Sequence, residues 1–404
     1  MQGVFDGLRV LDLTNVLSGP TLTRLMAEMG AEVIKVELHP AGDIARYLPW
    51  RVNNRSGYYV QQNRGKKSLF IDAKHPDGKA LLLELVAEVD VLVENFAPGA
   101  VDRLGLGWDV VSAINPRLVM CSISAFGQRG PLAGQPGYDN IAQAYTGTMH
   151  MVGDPDGAPA MTGFSPGDVM TGVHGLAGVA AALFHRERTG VGQRVESSLI
   201  DCYATCHELN YQSTSLSDGA FAPKRNGPLH SLVAGCGAFA AADGYVAMAV
   251  VNDRQYVQLC RAMGRPDLED DARYCTAEAR NANIVEFNRM IADWLLAQPG
   301  RDAAMERLMA ERVPAAPVLT VAEALEHPHL REVGTVRTVH DERVGTFQMP
   351  GMPIKLSAFP EPLDLRAASL GEHNEDVVVG LLGWDRARYD DLVERGVLRA
   401  EPES

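Results

Sequence analysis

Through its first third the chain alternates short apolar runs of strand character with longer stretches of helical spacing. "RVLDLT", "EVIKVE", "DVLVEN" and "RLVMCSIS" are nearly continuous apolar runs bounded by turn residues, the pattern of strands covered on both faces. Between them, a stretch from Pro20 to "MAEMG" and the segment "DGKALLLELVAEV" carry apolar residues three and four apart and predict helices. Strand and helix in alternation predict a parallel sheet with crossover helices, an α/β fold in the doubly wound manner. A glycine-studded helix follows from Asp168 to about Arg188, then "QRVESS" as a strand and a long helix from Leu199 toward Leu216. This first part, residues 1–216, ends at a Gly-, Pro- and Ser-rich linker over 217–232.

The pattern then changes. "GAFAAADGYVAMAVV" predicts two strands joined by the Asp243–Gly244 turn, with helices near 253–263, 286–297 and 301–311, a smaller α/β domain over 233–320. A second connection, 321–335, leads to a C-terminal part over 336–404. There "GEHNEDVVVGLLGW" and "RARYDDLVERGVL" predict two helices that pack back on the large domain.

Composition narrows the function classes. With 404 residues, 46% hydrophobic and 22% charged, the chain is globular and long enough for more than one core. A net charge of -14 argues against nucleic acid or an anionic membrane as a partner, while leaving room for a small anion on a local basic patch. The six cysteines lack metal-type CxxC spacing and read as reduced thiols of a cytoplasmic protein. The opening residues show no signal pattern, and the longest uninterrupted apolar runs fall short of the roughly 20 residues of a membrane span, so a soluble protein is expected.

Several common chemistries find no motif. The turn after the first strand, "TNVLSGP", lacks the GxGxxG that brings a backbone close to a pyrophosphate, which disfavours a nicotinamide site and leaves Glu37 as a solvated strand-end charge. No GxSxG elbow occurs. The closest histidines, His327 and His329, flank Pro328 instead of sharing a helix face, so no metal site is predicted. Arg64, Lys66, Lys67, Lys74 and Lys79 gather in "NRGKKSLFIDAKHPDGK", either as a solvated face or as a surface for a ligand with several phosphates. "VENFAPGAVDRLG" ends a strand in Asn95-Phe96 and opens a helix carrying Arg103, at the kind of strand end where open sheets bind ligands.

In "SPGDVMTGVHGLAG" the carboxylate of Asp168 heads a run of small apolar residues. Ser165, Pro166 and Asp168 have the spacing of an N-cap, a first helical proline and a capping-box acid, which on its own makes Asp168 a helix cap. Gly172, Gly175 and Gly178 behind it suit either simple packing or the close approach of another backbone.

Taken in order, "GLRVLDLTNVLSGP", "GAEVIKVE", "NRGKKSLFIDAK", "DVLVENFAPGAVDRLG", "NPRLVMCSISAFGQRGP", "GYDNIAQA" and "GDVMTGVHGLAGVAAALFHRERTGVGQRVESSL" resemble the class III CoA-transferases, a family that also contains the α-methylacyl-CoA racemases. The resemblance runs over nearly the whole chain. It implies an interlocked homodimer of ring-shaped subunits, each with a Rossmann-like large domain built from both chain ends. It implies further that Asp168 is the nucleophile. Coenzyme A, a substrate and not a tightly bound cofactor, would lie along Leu17, Ser18, Ile71, Asp72, Ala73, Lys74, Asn95, Phe96, Ala97, Arg103, Tyr138 and Asp139. The partners so implied are an acyl-CoA, a carboxylic acid and a second copy of the chain.

The chemistry fits a carboxylate at that place. In water it is a weak nucleophile; at a helix N-terminus the dipole is expected to keep it ionised, and a nearly dry cleft removes competing hydration. The implied reaction passes CoA between two acids through acyl-aspartyl anhydrides and an aspartyl-CoA thioester. The alternative is an acyl-CoA racemase or isomerase, and a third reading is a CoA-binding protein in which Asp168 only caps. The family's racemases carry a histidine in a "GHD" segment where this chain has Tyr138 in "GYD", and loss of that second base disfavours proton exchange. Formyl-CoA-type transferases carry a glutamine in place of Leu17 and a long glycine loop, whereas the nearest segment here, "NGPLHSLVAGCG", is far less glycine-rich. Both differences point away from formate and oxalate, and Leu17 suggests a larger or less polar acyl group.

Overall fold

A computed structural model describes residues 3–401 of the chain. They form two compact units, one from the residues up to Thr146, Gly163–Glu208 and the chain from Pro328 onward, the other from Gly147–Thr162 and Leu209–His327. In the first unit the strands β1 (Arg9–Asp12), β2 (Glu32–Leu38), β3 (Lys66–Ile71), β4 (Val91–Glu94), β5 (Val119–Ser124) and β6 (Gln193–Ser198) make one sheet in the order 3-2-1-4-5-6. Every pairing is parallel. This is the doubly wound order that the alternation of elements predicts.

Helices cover both faces: α1 (Ser18–Glu28), α2 (Gly57–Asn63), α3 (Pro76–Glu88), α4 (Asp139–Tyr145), α5 (Pro166–Thr189) and α6 (Leu199–Thr205). The two-residue period of the strands sorts the core. Leu11, Ile34, Leu69 and Leu92 meet Leu81 and Leu85 of α3 on one face. Val10, Val33, Val91 and Val119 meet Leu22 and Met26 of α1 and Leu176 and Val179 of α5 on the other. By length and composition α5 would suit a membrane span, yet nine of its residues are buried in the protein, Leu176, Val179, Ala182 and Leu183 among them in this core. The C-terminal part packs back as expected. Val377, Trp384 and Leu392 join the α3 face, and Asp72 donates its backbone N–H to Val397 at 2.8 Å along the edge of β3. The first of the two predicted C-terminal helices is a π-helix, Asp376–Leu381.

The first part of the basic run after Asn63 departs from both of its readings. Lys66 Nζ lies 3.0 Å from Asp12 Oδ2, and Lys35 Nζ lies 2.9 Å from Asp43 Oδ2, with all four side chains shut away from solvent. Arg64 is buried against Glu28, and Lys67 pairs with Glu32 at 2.8 Å. Only Lys74 and Lys79 of the five are exposed. Glu37, expected to be solvated, is buried, 2.6 Å from Arg46 and accepting from the Ser68 hydroxyl at 2.7 Å. Register is the reason: Asp12, Lys35, Glu37 and Lys66 alternate onto the face that α1 covers, so burial is imposed and each charge needs an opposite one.

The helix expected from Leu199 toward Leu216 is two, α6 and Asn210–Leu216. The break over 206–209 falls where the chain passes from one unit to the other. In the second unit β7 (Cys236–Ala241) and β8 (Gly244–Ala249) form the expected antiparallel hairpin, extended by β9 (Ala315–Pro317). Its helices Asp253–Met263, Ile284–Leu296 and Arg301–Ala310 close a core around Phe239, Tyr256, Phe287 and Leu308.

Candidate active site

The strand order reverses between β1 and β4, and in such sheets a crevice opens there at the carboxyl ends of the strands. A cavity of about 330 Å³ occupies that place. Its walls are residues 15–18 after β1, 95–97 after β4, 123–125 at the end of β5 and 137–138 before α4, with Asp168 and Leu199.

Two loops shape it. The Asn95 side chain accepts from the Asn15 backbone N–H at 2.8 Å, donates to the Asn15 carbonyl at 2.9 Å and reaches the Ser18 hydroxyl at 3.3 Å, so the turns after β1 and β4 are laced together. Glu94 steadies the second turn by accepting from Phe96 N–H at 2.9 Å. In the first turn Val16 holds φ at +66°, a left-handed conformation that costs a β-branched residue about 1–3 kcal/mol. Its N–H donates to Asp43 Oδ1 at 3.1 Å, and Asp43 is the partner of buried Lys35. The ionic layer beneath α1 thus fixes the loop that forms one wall of the cavity.

Asp168 stands in the first turn of α5, but not as a cap. The Ser165 side chain accepts no backbone N–H, and the amide of Asp168 donates instead to Asp139 Oδ1 at 3.0 Å. The Ser18 hydroxyl is the polar group that favours the ionised form of the Asp168 carboxyl. Gly172 makes its approach possible, because a Cβ there would run into the carbonyl oxygen of Ser18; of the two readings for the glycines, close backbone approach holds at this one. Gly175 and Gly178 face side chains, Leu22 and Val195.

Burial pushes the Asp168 carboxyl up to about 7, the nearby charge of Asp139 adds to it, and the Ser18 hydroxyl offsets only part. The helix N-terminus was expected to keep this group ionised. Desolvation and a like charge outweigh the dipole here. No lysine, arginine or histidine lines the cavity among the described residues. A carboxylate of this kind is about half ionised at neutrality, and its anion is more basic, hence more nucleophilic, than a solvated one. The charge reaches Tyr58 as well, whose phenol is raised by burial first and by Asp168 second.

Of the residues singled out from the sequence, Leu17, Ser18, Asn95, Phe96, Ala97, Tyr138 and Asp168 meet at the cavity. Asp139 lies behind its wall, 5% exposed, its oxygens taken by Asp168 N–H, Gln143 Nε2 at 2.7 Å and Tyr203 Oη at 2.8 Å. Ile71, Asp72, Ala73, Lys74 and Arg103 are not among the cavity residues. Ile71 and Ala73 are buried at the end of β3, while Lys74 and Arg103 are exposed. Tyr58, Gln143 and Tyr203 were missed. No motif marks them, since a tyrosine in "GYYVQQN" or "LIDCYAT" has the look of core packing until the fold sets it beside a carboxylate.

The family model for CoA-transferase family III matches residues 5–374. A formyl-CoA:oxalate CoA-transferase of Streptomyces avermitilis is 38% identical, covering 98% of this chain and 100% of that protein. A succinyl-CoA:mesaconate CoA-transferase of Haloarcula hispanica is also 38% identical, covering 96% and 100%. The crystal structure of a CAIB/BAIF family protein from Brucella suis has a TM-score of 0.82 at 33% identity, covering 94% of this chain and 100% of its own.

Proposed function

The chain belongs to CoA-transferase family III and is a CoA-transferase, and from that premise we propose that Asp168 carries the transferred group covalently between an acyl-CoA donor and a carboxylic acid acceptor. The observation that bears the reading is the site itself: one carboxylate with no capping duty and, among the described residues, no cation beside it, on an otherwise uncharged cavity at the switch point of the sheet. The Asp168 carboxylate attacks the thioester carbonyl, the carbon–sulfur bond breaks, and CoA leaves as the thiolate. The thiolate then attacks the aspartyl carbonyl of the mixed anhydride, releasing the donor's acid and leaving an aspartyl-CoA thioester. The acceptor carboxylate attacks that thioester, and the freed thiolate closes on the acceptor's own carbonyl and returns Asp168 to its starting state. Each step exchanges a carboxylate or thiolate for another, so no ATP is needed.

The acyl group is read as larger or less polar than oxalate, because Val16, Leu17, Phe96, Ile123 and Leu199 contribute apolar wall. Lys74 and Arg103, exposed beyond the cavity, are read as partners of the CoA phosphates; Arg103→Ala should raise KM for every CoA donor more than it lowers kcat. A homodimer is the proposed assembly, supported by the exposed Val173 and Phe184 on the outer face of α5; a monomer in sedimentation would sink it.

Trapping tests the covalent step. Incubation with an acyl-CoA donor and hydroxylamine should inactivate the enzyme and leave Asp168 as a hydroxamate, seen as a mass shift on the peptide containing "GFSPGDVMTGVH". Free CoA in place of the donor should leave no label. Labelling of other residues only, or resistance during turnover, would overturn the assignment, and a panel of donors and acids in the same experiment reports the acyl preference.

A further inference from the structure

Asp139 is buried at the first turn of α4 with three protein donors and no lysine, arginine or histidine paired with it among the described residues. Those donors come from three helices: Gln143 from α4 itself, Tyr203 from α6, and the backbone of Asp168 from α5. Gly167 is what lets them meet, since a Cβ there would clash with the Tyr203 ring and would come within 2.8 Å of Asp139 Oδ1. Three neutral donors satisfy a carboxylate's lone pairs but leave its negative charge in place. That charge is spent neither on an ion pair nor on a surface.

We propose that Asp139 is a positioning residue for Asp168: its carboxylate anchors the first turn of α5 through the Asp168 amide, and its uncompensated charge raises the energy of the reactive carboxylate's ionised form. The inference rests on the reading of Asp168 as nucleophile. As the Asp168 oxygen bonds to the thioester carbonyl and the carbon–sulfur bond breaks, the negative charge leaves Asp168 for the departing sulfur. Repulsion from Asp139 is present in the ground state and relieved along the reaction, which is the condition for a rate gain. The ionisable groups facing Asp168 from the packed helices are Asp139 of α4 and Tyr58 of α2. Tyr203 of α6 faces Asp139, and α1 presents the neutral Ser18.

Asp139→Asn removes the charge and keeps an oxygen to accept from the Asp168 amide. In the intact enzyme this variant should move the acid limb of kcat/KM down by about one pH unit and lower kcat on the alkaline plateau by about tenfold, because a less basic carboxylate attacks more slowly. A merely structural role would lower activity alike at all pH values and leave the limb where it is, and that result overturns the proposal. A second measurement needs no variant at Asp139. In wild-type protein carrying carboxyl-labelled aspartate, with Asp168 assigned through Asp168→Asn, the Asp139 carbon resonance should show a step at the midpoint of the Asp168 titration. An Asp139 resonance without that step also overturns it. If the step is present but hydroxylamine leaves no label on Asp168, the coupling stands and the nucleophile reading alone falls.

Discussion

Two groups of desolvated carboxylates lie on either side of the first turn of α1, and they are opposites. Beneath the helix, burial alone would push Asp12 upward, but Lys66, Lys35 and the Thr14 and Thr23 hydroxyls outweigh it and hold its carboxyl below the ordinary range. Glu37 follows the same logic, held at about 2 because Arg46, Lys35 and Ser68 overcome its desolvation. Across the helix Asp168 has desolvation, a like charge and one hydroxyl, and sits at about 7. Burial is deeper at the paired site, where Asp12 and Glu37 are shut away from solvent while Asp168 borders the cavity, so burial does not set the order of the two. The cation does, and a carboxylate given one becomes structure while a carboxylate denied one stays reactive.

The widest separation between the two should appear on neutralising one acid of each kind. Asp168→Asn should lower turnover by about a thousandfold or more, with CoA-ester affinity nearly kept, because the lost group makes the covalent bond and few ground-state contacts. Near-wild-type turnover, once deamidation is excluded by mass, would end the comparison. On the paired side the effect should fall on stability. Lys66→Met strips Asp12 of its nearest cation and should cost about 3–5 kcal/mol in urea melts, while Asp12→Asn with Lys66→Met should recover much of that. An additive double variant would mean that the ion pair beneath α1 is not a unit.

This contrast also marks where the sequence stops being legible. Continuous apolar runs such as "DVLVEN" and "RLVMCSIS" fix strands and their parallel order, because a strand covered on both faces leaves no polar alternative. One cavity loop was visible through Asn95, which follows its strand directly, while Leu17, five residues beyond β1, was marked by the family resemblance alone. The basic run was not legible. Whether Lys66 meets solvent or Asp12 depends on β3 pairing with β2 and on α1 lying over that face, both long-range facts. Asp168 shows the same limit from the other side: its capping-box spacing was sound local reasoning, overridden when α4 brought Asp139 to the amide that the Ser165 side chain would have capped.

Gly172→Ala should disturb the geometry between the two groups without touching a charge. Its Cβ must displace the Ser18 carbonyl and so part α1 from α5, at about 1–3 kcal/mol of overpacking. Because Ser18 favours the ionised form of Asp168, kcat should fall along with stability, whereas an alanine at Gly163, where nothing lies within van der Waals reach, should change neither. Full activity in Gly172→Ala would show that the Ser18 contact does not matter to the reaction.

The smallest effect follows from the sign of the Asp168 shift. Folded, the group binds its proton up to about 7; unfolded, it returns to its ordinary value of 3.8. Between those limits the folded protein holds more protons, so stability contributed by this residue falls as pH rises through the window and stays low above it. Three pH units correspond to an upper bound of about 4 kcal/mol, and solvent in the open cavity should screen that to about 1–2 kcal/mol. Asp168→Asn escapes the penalty. Its Tm should match the wild type near pH 4, exceed it increasingly toward pH 7, and keep a constant lead beyond. The opposite trend, wild type gaining on the variant as pH rises, would place Asp168 among the paired carboxylates and require a cation that the described residues do not supply.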